Sequence, residues 1–176
     1  MISKLFAVLA AMFIVIGVKS LAEDQKARRI KPEQLESAID VVGSKEAWES
    51  EPSLIVSSLD TIRKSKDIDA IPLLVAHVDY SPVDDEADTT MGNISKVYPV
   101  TSCLMDLGEE SAHGVIDYLR QTDQRPSDQA MIEFRRVLVA TLGKSRTMQL
   151  LKEENNNATN QNAKKYFEEL LQGLMD

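Results

Sequence analysis

The sequence predicts an all-α fold, a short right-handed solenoid of roughly seven to eight helices stacked as antiparallel pairs. Three observations predict it. Hydrophobic residues make up 43% of the chain and aromatic residues only 5%, so the core is built from Leu, Ile, Val, Ala and Met, which suit helices better than sheets. Seven glycines in 176 residues are few for an all-β chain. Apolar residues recur at helical spacing along most of the sequence, and no segment shows a convincing period of two.

The first 22 residues read as a secretory signal. Met1 to Lys4 give a short positive start, Leu5 to Val18 an unbroken apolar run, and Ser20-Leu21-Ala22 small residues at the −3 and −1 positions of a cut. Cleavage is expected after Ala22. As a helix, that run rises only ~21 Å, short of a ~30 Å hydrocarbon core, so a retained anchor is the lesser alternative. Either way residues 23–176 are expected outside the cytoplasm, periplasmic or secreted, with no membrane contact after cleavage.

Residues 23–32 form a charged lead-in, and residues 33–176 the helical domain. Leu35, Ala38, Ile39 and Val42 fall on one helix face, with Gly43 as a stop. Pro52 opens the next helix, where a missing N–H costs little, and its stripe is Ile55, Leu59 and Ile62. A third helix carries Ile68, Ile71, Leu74, Val75 and Val78. Residues 79–96, with Pro82, the acids Asp84, Asp85, Glu86 and Asp88, and Gly92-Asn93, read as one acidic surface loop. Periodicity resumes at Val97, Val100, Leu104 and Leu107 and ends at Gly108. Ala112, Val115, Ile116 and Leu119 form the next stripe. After a turn at Thr122 to Pro126, Ser127 caps a helix with Ala130, Phe134, Val137, Leu138 and Thr141 inward and Gly143 at its end. Met148, Leu150 and Leu151 mark a short partner helix, and Asn155 to Asn162 a loop or frayed end. Phe167, Leu170, Leu171 and Leu174 define the last helix.

Part of the chain repeats. Cys103-Leu104-Met105-Asp106-Leu107-Gly108 aligns with Leu138-Val139-Ala140-Thr141-Leu142-Gly143 at a shift of 35 residues, which also puts Val115 and Ile116 on Leu150 and Leu151. A fainter copy lies 45 residues upstream, where Leu59 and Ile62 precede Leu104 and Leu107. Such a period, holding two helices and a tight turn at glycine, marks stacked helix pairs, because one short pair cannot cover its own apolar face.

Tyr98-Pro99-Val100 to Asp106-Leu107-Gly108, followed by Val115-Ile116-Asp117-Tyr118-Leu119, resembles the HEAT-like, armadillo-like repeats of the phycobilisome-lyase type. Arg135 to Ala140 before Leu142-Gly143 is similar to the same pattern, and Ala70-Ile71-Pro72-Leu73-Leu74 resembles the start of a second helix. The resemblance spans about residues 53–153. The repeats are few and unequal, and the acidic insertion interrupts them. Most proteins with such repeats hold other proteins, and a minority attach or remove bilin pigments. An export signal fits the first role better.

Charge and motifs narrow the chemistry. Removing Lys4 and Lys19 with the signal leaves 18 basic against 28 acidic residues, a net of −10, which repels nucleic acid and anionic lipid. The single cysteine, Cys103, rules out an internal disulfide and reads as a small buried hydrophobe. His77 and His113 lack partners at metal-ligand spacing and read as structural. The loop Asp84 to Asp88 lacks the order of an EF-hand. Glu109-Glu110 suit a helix start. No nucleophile elbow, phosphate loop or dinucleotide fingerprint occurs. Asn93-Ile94-Ser95 and Asn157-Ala158-Thr159 fit the glycosylation acceptor pattern.

The expectation is therefore an exported, non-catalytic interaction scaffold or adaptor with a protein partner and no cofactor, catalytic residue or metal site. The binding face is not marked in the sequence. The alternatives are a small helical-bundle accessory subunit of an exported complex and, further off, a pigment-handling protein.

Overall fold

The computed structural model describes residues 30–83 and 93–175. Among them the fold is all-helical, with ten α-helices, one 3-10 turn and no strand. The expected signal segment, most of the lead-in and the acids Asp84 to Asp88 lie outside the described residues.

Helix α1 (Pro32–Gly43) buries Ala38 and Val42. Helix α2 (Lys45–Ser50) has no counterpart in the predicted elements. Ser44 caps it by accepting the Ala47 N–H, and Trp48 anchors it by donating its indole N–H to the Val42 carbonyl at 2.8 Å. Helix α3 (Pro52–Ser65) starts at Pro52 as expected and buries Ile55, Leu59 and Ile62.

The predicted third helix is shorter and broken. Asp67 caps a 3-10 turn at Ile68–Ala70 through the Asp69 N–H, and α4 (Ile71–Val75) follows with Pro72 in its first turn. The two starts divide the segment, so Ile68 ends up 48% exposed and Val78 is buried beyond the helix. The 79–96 stretch is not a loop throughout, since α5 (Ile94–Val97) closes it and buries Ile94 and Val97. Tyr98, held out of the helical region ahead of Pro99 with φ −126° and ψ 73°, separates α5 from α6 (Pro99–Leu107). Val97 therefore belongs to a separate turn from Val100, Leu104 and Leu107.

Helix α7 (Glu109–Gln121) buries Ala112, Val115, Ile116 and Leu119. Helix α8 (Asp128–Leu142) is capped by Ser127, which accepts the Ala130 N–H at 2.9 Å. Between α6 and α7, and again between α8 and α9 (Lys144–Asn157), stands one glycine. Gly108 has φ 85° and Gly143 has φ 79°, a region closed to most side chains. The two glycines related by the 35-residue shift thus make the same kind of corner. Helix α9 is longer than expected and takes in Asn155 to Asn157. Helix α10 (Gln161–Met175) buries Phe167, Leu170 and Leu174, and leaves Leu171 half-buried.

Helix α3 packs on α6, α6 on α8, and α4 on α7, while α10 covers α9 and also reaches α7 and α8. Polar side-chain links join distant segments at separations from 23 to 48 residues. Cys103 Sγ lies 3.6 Å from the Leu59 carbonyl, 44 residues away. Arg120 pairs with Glu154 at 2.6 Å, 34 residues on, and Glu109 pairs with Arg146, 37 residues on. Gly114 marks a close approach of α7 to α4, for a Cβ there would lie 2.3 Å from Ile71 Cγ2.

Candidate functional site

Three polar arrangements stand out against this apolar core. The first is at α1, α2 and the turn after α4. The Trp48 indole stacks on His77 with centroids 4.1 Å apart and 12° between planes, and meets Tyr80 edge-on at 4.8 Å. Burial lowers the His77 pKa from its ordinary 6.5, with Asp79 pulling weakly the other way. The neutral imidazole is therefore the form the fold prefers. That contribution is complete above the unfolded value and is lost as pH falls through the lower folded value. Because Trp48 is the single tryptophan, its fluorescence reports this stack directly. Urea unfolding followed at Trp48 is expected to show stability falling from pH 7.5 to pH 5. His77→Phe, which keeps a stacking ring and cannot ionise, removes that part of the fall, whereas an unchanged fall would place its origin elsewhere.

The second arrangement is a fully buried carboxyl, Glu133, on α8. Its Oε1 accepts from Gln129 at 2.7 Å and from Arg136 at 2.8 Å. Its Oε2 has no partner. Thr101 stands beside it on α6 but donates its hydroxyl to the Val78 carbonyl at 2.9 Å. Burial pushes Glu133 above the usual carboxylate range, and the Arg136 charge pulls it back. Arg136 in turn lies 6.0 Å from the centre of the Tyr98 ring. A buried charge is costly unless it is paired, and here the pair fixes how Arg136 leaves α8.

The third is a groove of about 330 Å³ beside that arginine, between α8 and α10. Val139, Ala140 and Leu174 give it an apolar floor, and Arg135, Arg136 and Lys144 line it with positive charge. Of the described arginines, Arg63, Arg120, Arg125, Arg136 and Arg146 each pair with at least one carboxylate. Among the described residues, Arg135 has no ion pair, and neither does Lys144.

The residues singled out in the sequence lie apart from one another. Cys103 is 2% exposed and its thiol is pushed up to about 12 by burial, which leaves it unreactive at neutral pH. His113 sits in the first half of α7, and Glu109 and Glu110 in its first turn. Asn93 is half-buried ahead of α5, while Asn157 is exposed at the end of α9. Glu133 escaped the sequence reading because an acid inside an apolar stripe is ordinarily the outer face of a helix. The groove escaped it because its sides come from segments some 35 residues apart. Among the described residues, no group of His, Cys, Asp and Glu is placed to hold a metal ion, and no helix is long and apolar enough to cross a membrane. No protein-family model, curated protein or solved structure gives a significant match to this chain.

Proposed function

We propose that the chain is an exported, non-catalytic HEAT-like repeat domain that acts as a protein–protein interaction scaffold or adaptor. The observation that carries this reading is the agreement between two spacings. The sequence matches itself at shifts of 35 and 45 residues, and side-chain links join α3 to α6 across 43 and 44 residues and α7 to α9 across 34 and 37. Equivalent corners at Gly108 and Gly143 support the same reading. Helix pairs stacked in chain order present an extended surface built from successive helices, which suits holding a protein better than enclosing a small substrate. The open α8–α10 groove, with an apolar floor and positive rim, is the kind of feature such a surface offers.

The test is recovery of the untagged chain from the exported fraction of its own cells after chemical crosslinking. One stoichiometric protein partner, on a chain whose mass starts at Glu23, is expected. A chain that stays inside the cell with Met1 in place overturns the export reading. A chain recovered alone, or carrying a pigment or other small-molecule adduct, overturns the scaffold reading.

A further inference from the structure

We propose that the α8–α10 groove docks an apolar side chain of a partner protein that is flanked by Asp or Glu, with Arg135 and Lys144 pairing the flanking carboxylates. This rests on the scaffold reading and adds the site and the chemistry of the partner. Charge complementarity argues for an acidic occupant. The chain has 28 acidic against 20 basic residues, and of the six described arginines all but Arg135 pair with a carboxylate. Among the described residues Arg135 and Lys144 have no ion pair, and both line the groove beside an apolar floor that a wholly polar ligand would leave wet. An apolar side chain covers the floor, and its acidic neighbours meet the two cations as the site loses water, where a charge pair gains strength.

Gly173 supplies a second, independent argument. It lies inside α10, where glycine is less favourable than alanine by up to about 1 kcal/mol. A Cβ at that position would lie 1.7 Å from Arg135 Nη1 and 3.0 Å from its Cζ. The missing side chain therefore lets the guanidinium lie against α10, held at the rim of the groove. Arg136, the next residue, is tied by the buried Glu133 and faces Tyr98. Neighbouring arginines are thus positioned by separate devices, one by a buried carboxylate and one by a glycine.

A photo-crosslinking amino acid at Ala140, which is exposed on the groove floor, tests the proposal in the full chain within its exported compartment. A second probe at Leu54, exposed on α3, serves as a control site. Fragmentation of the Ala140 adduct is expected to place the link on an apolar residue with Asp or Glu within a few positions. Arg135→Ala combined with Lys144→Ala is expected to cut the Ala140 yield at least tenfold, a loss of about 1.4 kcal/mol. Gly173→Ala separates docking from folding. It is expected to hold or raise the melting temperature while cutting the same yield severalfold, because Arg135 must move and its charge remains. A link to a lipid, to a second copy of this chain or to a segment without acids overturns the proposal. So does a yield that neither variant changes, or no link at Ala140. A partner captured from Leu54 alone sinks the groove and leaves the scaffold reading standing. A chain crosslinked to nothing at either position sinks both.

Discussion

Phe134→Ala is expected to lose about 4 kcal/mol of folding stability. Phe134 is 1% exposed on α8, and its ring lies 5.6 Å from that of Tyr118 on α7. Truncation removes the transfer energy of the ring, leaves a cavity between α7 and α8, and forfeits an aromatic contact worth about 1 kcal/mol. Domains of this size rest on roughly 5–15 kcal/mol in total, so the variant should be partly unfolded at 37 °C. The measurement is the urea midpoint, read both by helical circular dichroism and by Trp48 fluorescence. The two transitions should coincide, since Trp48 and Phe134 belong to one continuous buried core. Phe134→Leu, which refills part of the space, should lose less. A loss below about 1 kcal/mol for Phe134→Ala would mean that α8 does not depend on this contact.

Gly114→Ala is expected to be destabilising by about 2 kcal/mol, against the ordinary helix preference for alanine. On an open helix surface the change would gain up to about 1 kcal/mol. Here the new methyl would stand 2.3 Å from Cγ2 of Ile71, which is 4% exposed and has no free space to enter. Overpacking of that kind costs about 1–3 kcal/mol, and α7 must move away from α4. The check is a double-mutant cycle with Ile71→Ala, which removes the obstructing atom. The pair should be less destabilised than the sum of the single changes by about 1 kcal/mol or more. Strict additivity would show that α7 and α4 do not meet at this point. Gly173→Ala is the instructive contrast. The obstructing atom there is the far end of a long, flexible arginine side chain, so the same substitution costs little in folding.

Much of the helical pattern was legible because an amphipathic stripe is a local property. The stripes at Ile55, Leu59 and Ile62, and at Ala112, Val115, Ile116 and Leu119, are buried as their spacing implies. Elements set by one strong contact were not legible. Helix α2 has only Trp48 as a large apolar residue, and six residues cannot display a period. The interruption at Tyr98 comes from the backbone restriction that Pro99 places on its predecessor. The extension of α9 past Glu153 coincides with the Arg120–Glu154 pair, which holds the final turn from another helix. The candidate site was hidden for a related reason. That Arg135 has no ion pair among the described residues, and that Gly173 makes room for it, depends on which helix faces which, and one segment of sequence cannot state that.

The order of charges on α7 and α9 has a consequence for how the chain avoids misassembly. Helix α7 runs from Glu109 to Arg120, in the sense its own dipole favours. On α9 the order of charges is reversed, with Arg146 in its first turn and Glu154 toward its end, against its dipole. Each rim pair adds little to stability on its own. Together they discriminate between alignments. Laid alongside in the native sense, both ends attract. With α9 reversed, Glu109 would face Glu154 and Arg120 would face Arg146, and both ends would repel. The unfavourable placement within α9 thus acts as an orientation key, since a flipped docking would set like charges together at both ends.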